Sequence, residues 1–127
     1  YKMALSAVYK TKADYDSRTS PRYSAELDDK GEVYFRIYGE KCGIVDKIVD
    51  AVIDVNNQRV SANYYCTNEA TGPHTIYSIK NINGNAFVNG EFSNRKYVFV
   101  EFIRSHKMVF DTDGFSEASK DKARPIY

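Results

Sequence analysis

Residues 23–38, Tyr23-Ser24-Ala25-Glu26-Leu27-Asp28-Asp29-Lys30-Gly31-Glu32-Val33-Tyr34-Phe35-Arg36-Ile37-Tyr38, read as two strands joined by a turn. Val33, Phe35 and Ile37 fall on one side of an extended chain and Tyr34, Arg36 and Tyr38 on the other, the period of two that a strand imposes. Asp28-Asp29-Lys30-Gly31 supplies the turn residues between them.

The same texture extends in both directions. Residues 4–10 form an expected first strand, followed by a polar loop from Thr11 to Arg22 that ends on Ser20-Pro21, where the residue before proline resists helix. Ile44-Val45-Asp46-Lys47-Ile48-Val49-Asp50 has apolar residues at helical spacing but β-branched content, so helix and strand both stay open. Ala51 to Val55 and Val60 to Cys66 predict a second hairpin around Asn56-Asn57-Gln58-Arg59, whose asparagines tolerate left-handed backbone. Thr67 to Pro73 reads as a loop. His74 to Lys80 and Asn85 to Phe92 read as extended segments around Ile82-Asn83-Gly84, because Asn-Gly is a hairpin cue. Tyr97 to Ile103 is almost continuously apolar and predicts a central strand covered on both faces, paired with Lys107 to Asp111 across Arg104-Ser105-His106. Thr112 or Asp113 can cap a short helix reaching 119–122 and stopping before Pro125.

The expected fold is therefore mainly β (α+β). It is one domain over 1–127, a single antiparallel sheet of about six to eight strands with one or two short helices and one disulfide. Eleven tyrosines and seven phenylalanines among 127 residues, with no tryptophan, favour strand. There is no internal repeat and no apolar run near the roughly 18 residues that cross a bilayer.

The disulfide is expected between Cys42 and Cys66. Their spacing matches no C-x-x-C redox motif, and with only His74 and His106 beside them a four-ligand metal site is poorly supplied. Closing that loop stabilises a fold by about 3–4 kcal/mol in the chain-entropy account. The competing reading is two buried thiols in a cytosolic protein. A disulfide, a start on Tyr1 and the lack of an Asn-x-Ser/Thr sequon are features expected of a periplasmic or secreted bacterial protein whose leader has been removed; a trimmed boundary would give the same start, and a eukaryotic secretory route stays open.

Catalytic motifs do not surface. No Gly-x-Ser-x-Gly elbow, HExxH or glycine-rich phosphate loop occurs, and neither histidine lies in a triad signature. Both are expected as surface or loop residues. The carboxylate pairs Asp28/Asp29 and Asp111/Asp113 sit where acids serve a turn and a helix start. No cofactor or metal is expected. Eighteen basic residues balance seventeen acidic ones, which argues against nucleic acid even though Arg95, Lys96, Arg104 and Lys107 bracket an aromatic strand.

Recognition by surface remains. Outward tyrosines such as Tyr34, Tyr38 and Tyr65 offer amphipathic contact area, and Glu26, Asp28, Asp29 and Glu32 make a local acidic patch that would steer a basic partner. The expected contact residues are Asp28, Asp29 and Glu32 on the first hairpin, with Tyr65, Asn68, Glu69 and His74 around the Thr67 to His74 loop.

The segment Lys107-Met108-Val109-Phe110-Asp111-Thr112-Asp113-Gly114-Phe115-Ser116-Glu117-Ala118 resembles the strand-to-helix ending of small exported bacterial β proteins. With the chain's size and cysteine pair, it is similar to periplasmic bacteriocin-immunity proteins and lysozyme inhibitors. That resemblance implies a mode of action and no individual residues: a non-enzymatic protein that binds a bacteriocin or lysozyme-like enzyme and occludes its active site. Two other classes stay open, an exported accessory or virulence-associated β protein that binds a host or envelope component, and a small enzyme with a dispersed site.

Overall fold

A computed structural model of the chain describes residues 9–12, 22–102 and 107–115. Among the described residues, eight strands form one antiparallel sheet: β1 (Tyr9–Lys12), β2 (Arg22–Leu27), β3 (Val33–Tyr38), β4 (Val49–Val55), β5 (Gln58–Glu69), β6 (Gly72–Ile79), β7 (Tyr97–Glu101) and β8 (Lys107–Asp111). Their order across the sheet is β1-β2-β3-β6-β5-β4-β7-β8. The sheet curls until its two outermost strands, β1 and β8, approach each other, so the architecture is close to a barrel. The mainly β expectation, the antiparallel sheet and the single disulfide all hold.

The hairpin of residues 23–38 forms as read. Leu27 pairs with Val33 and Tyr23 with Ile37, and Val33, Phe35 and Ile37 are buried in the core. Asp28 holds the turn: its Oδ1 accepts from the backbone N–H groups of Lys30 and Glu32 at 2.9 Å each, while Gly31 takes the positive φ of 79° that a Cβ would disfavour. The second hairpin turns on Asn56 and Asn57 alone, both left-handed (φ 48° and 67°), with Gln58 and Arg59 already in β5.

Five expectations need correction. Residues 11 and 12 belong to β1 rather than to a loop; residues 4–8 lie outside the described part. Residues 44–48 are neither helix nor strand, and β4 begins only at Val49. The supposed loop from Thr67 to Pro73 is largely sheet, with Asn68 opposite Pro73 and Glu69 opposite Gly72 around the two-residue turn Ala70-Thr71. Polar composition suggested a loop there, but the ladder extends to Gly72, whose φ of 120° tolerates the reversal.

The largest departure is α1, Ile82–Asn94, where extended segments were expected. Asn81 is its N-cap, with Oδ1 accepting from Gly84 N at 2.7 Å. Gly84 is no turn residue but a close-packing one: a Cβ there would stand 2.9 Å from Ile79 Cγ2 and 3.3 Å from Val60 Cγ1. Val88 and Phe92, one turn apart, are buried, and Phe92 packs against Phe35, Phe110 and Phe115. The helix thus completes the core against β3 and β7.

Finally, β7 is not covered on both faces. Val98 and Val100 are fully buried, but Tyr97 is 47% and Phe99 39% exposed. Its pairing with β8 is as expected. Arg104, His106 and the expected helix after Asp113 lie outside the described residues apart from its first positions. Among the described residues, no helix is long and apolar enough to cross a membrane.

Candidate functional site

Two regions among the described residues concentrate unusual chemistry. The first is the face of β2, β3 and β6 turned away from the apolar core. Antiparallel register sets Glu26 opposite Tyr34, Ser24 opposite Arg36 and Tyr38 opposite His74. Glu26 accepts from Tyr34 Oη (2.7 Å), Arg36 Nε (2.9 Å) and Ser24 Oγ (3.0 Å). Arg36 Nη1 reaches His74 Nε2 at 2.8 Å and Tyr38 Oη at 3.3 Å. A guanidinium only donates, so His74 Nε2 accepts and its ring proton sits on Nδ1, facing Glu69 Oε2 at 3.3 Å. Tyr38 stacks on the imidazole, with ring centroids 4.6 Å apart.

Burial shapes the electrostatics of this cluster. By itself it would raise the Glu26 carboxyl, but the Tyr34 hydrogen bond and the Arg36 charge, with the bonds from Arg36 and Ser24, outweigh it and hold Glu26 below its ordinary value. Burial and the bond to Glu26 push the Tyr34 phenol up. Desolvation works against the Arg36 charge, yet its bond to Tyr34 and the charge of Glu26 prevail, and its pKa is raised. His74, expected on the surface, is buried, and so are Glu26, Tyr34 and Arg36. Tyr38 and Tyr65 are half-buried. The Nε2 lone pair that a general base would use is occupied by Arg36.

The second region is the connection from residues 39–48, which presents Ile44 (47% exposed), Val45 (44%) and Ile48 (69%) to solvent. Such a segment would ordinarily collapse or wander; here it is pinned. The Cys42–Cys66 disulfide, with Cα atoms 5.6 Å apart, ties it to β5. Asp46 N donates to Cys66 O (2.8 Å), Thr67 Oγ1 donates to Asp46 Oδ1 (2.5 Å) and Gly43 N to Tyr64 Oη (3.3 Å). At its start, Gly39 N donates to Pro73 O at 3.0 Å. Asp46 takes a positive φ of 58°, which breaks the helical spacing of the neighbouring apolar residues.

The expected contact residues therefore separate. Asp28 is buried and spent on its turn, whereas Asp29 and Glu32 are exposed. Glu69 and His74 come together across the β5–β6 hairpin, Tyr65 lies opposite Ile76 on the same two strands, and Asn68 is exposed near their end. Ile44, Val45 and Ile48 were missed as contacts, although Cys42 beside three β-branched apolar residues was the available signal. Comparison with protein-family models, curated proteins and solved structures gives no match.

Proposed function

We propose that the protein is a binding protein whose contact element is the disulfide-pinned segment of residues 39–48. The observation that carries this reading is the simultaneous exposure and fixation of Ile44, Val45 and Ile48. Exposed branched apolar side chains cost solubility, and holding them in one conformation lowers the ordering entropy lost on association. An exposed, pinned apolar segment suits an apolar cleft on a partner. In keeping with the sequence resemblance, the partner is a cell-wall-degrading enzyme of the bacteriocin or lysozyme type, and the action is stoichiometric occlusion of its cleft in the periplasm or outside the cell. This is the mode of the pesticin immunity protein and of lysozyme inhibitors. The exposed acids Asp29 and Glu32 would contribute to the rate of encounter with a basic enzyme rather than to the depth of binding.

The test is clearing of a peptidoglycan suspension by lysozyme-type and bacteriocin muramidases. Equimolar protein should stop clearing by its target, and Ile44→Asp/Val45→Asp/Ile48→Asp should abolish the effect without loss of fold. Unchanged clearing by every enzyme at large excess of the protein would retire the reading.

A further inference from the structure

A different surface, on the outward face of β7, carries a second site. A groove of about 370 Å³ is lined by Asn56, Asn57, Arg95, Tyr97, Phe99 and Lys107. Tyr97 and Phe99 stand two residues apart on one strand face, so they are about 6.6 Å apart along the strand, and both are exposed. The groove's frame is fixed from below. Glu91 of α1, itself only 17% exposed, accepts from Asn56 Nδ2 (2.9 Å) and Arg95 Nε (3.0 Å). Asn56 exchanges hydrogen bonds with the Phe99 backbone: its N donates to Phe99 O (2.7 Å) and its Oδ1 accepts from Phe99 N (2.8 Å). Thr112 N donates to Lys96 O at 3.0 Å, closing the far side. The left-handed turn leaves Asn57 exposed at the rim, 3.5 Å from Lys107 Nζ.

We propose that this groove binds an uncharged oligosaccharide chain. Sugar rings offer apolar C–H faces to stack on aromatic side chains and hydroxyls to pair with an amide and an ammonium, which Tyr97, Phe99, Asn57 and Lys107 present here while Asn56 is spent on the frame. A polyanion suits it less. Arg95, Lys96 and Lys107 are matched in number by Glu91, Glu101 and Asp111: Arg95 pairs with Glu91, Glu101 is in register with Lys107 and Asp111 with Tyr97, and Lys96 Nζ lies 5.8 Å from the Tyr97 ring centroid, so little net positive field remains to hold phosphates. The site is separate from the segment of residues 39–48, and its failure would leave the proposed function standing.

Amide chemical shifts of the full chain, titrated with hexamers of β-1,4-linked N-acetylglucosamine and of β-1,4-linked glucose, test it. At least one hexamer should perturb residues 56–57, 95–99 and 107, and Tyr97→Ala or Phe99→Ala should each weaken that binding about tenfold while the remaining spectrum reports an intact fold. Absence of perturbation by both sugars, or binding unaltered in both variants, overturns the assignment. So does selective binding of a thymidine oligonucleotide with affinity falling steeply as salt rises, which would make the groove a nucleic-acid platform.

Discussion

The face of β2, β3 and β6 and the connecting segment of residues 39–48 invert the usual distribution of chemistry. Charged and phenolic groups are buried on the former, while branched aliphatics are exposed on the latter. On the buried face every polar partner is within the molecule: Glu26, Arg36, Tyr34 and His74 satisfy one another. On the exposed segment the internal bonds go to the backbone, to Asp46, to the Tyr64 hydroxyl and to the disulfide, leaving the aliphatic side chains without a covering element among the described residues. The difference separates structure from interaction. A titratable cluster is not a functional site when its members are spent on each other, and an apolar segment is a contact candidate when the fold spends bonds to hold it outward.

The contrast is broken most forcefully at Arg36. Replacing it by Ala strands Glu26 as an uncompensated buried charge and should cost about 3–5 kcal/mol by urea unfolding. Converting Glu26 and Arg36 together to apolar residues of similar size should cost much less. Equal losses in the two cases would mean that packing, not the ion pair, governs this face.

Next in size is the disulfide. Cys42→Ala/Cys66→Ala should lower stability by about 3 kcal/mol and free residues 39–48, seen as faster amide exchange at Asp46 with the β2–β3 ladder unaffected. The smallest stability effect belongs to the exposed aliphatics themselves. Ile44→Asp/Val45→Asp/Ile48→Asp should change unfolding free energy by no more than about 0.5 kcal/mol per site, since their side chains are largely solvated already.

Acid and base sharpen the same distinction. Glu26 lies below its ordinary carboxyl range in the fold, so the stability it carries is complete above the unfolded value of about 4.3 and drains as pH falls through the lower folded one. Tyr34 and Tyr77 are held above the ordinary phenol range, Tyr77 by burial and then by the charge of Glu40 and neighbouring tyrosines. Their contribution is complete below about pH 10 and is lost as pH rises beyond it. Thermal melts should show a plateau between those limits, with the acid limb abolished in Glu26→Gln. An acid limb that persists unchanged in that variant would shift the linkage elsewhere.

Strand alternation made the hairpin of residues 23–38 and the turn at Asn56-Asn57 legible, because local period and tertiary register agree there. The helix at 82–94 was hidden for the opposite reason. Asn83-Gly84 and Asn89-Gly90 carry turn chemistry, and what overrides it is tertiary: the absent Cβ of Gly84 lets the helix sit against Ile79 and Val60, and Val88 and Phe92 then enter the core. Burial of Glu26, Arg36 and His74 was equally illegible, since it depends on which strands become neighbours; β3 pairs with β6, far along the chain. Conversely, Ile44, Val45 and Ile48 look like core residues by composition, and only the pinned backbone around Asp46 turns them outward.

The most direct trial is a binding isotherm between the protein and the cell-wall-degrading enzyme proposed as its target, measured for the wild type and for Ile44→Asp/Val45→Asp/Ile48→Asp at matched stability. The wild type should form a one-to-one complex and the variant should lose at least a hundredfold in affinity, with Asp29→Lys/Glu32→Lys altering mainly the association rate. Undiminished affinity in the triple variant would contradict the proposal and move the contact surface away from residues 39–48.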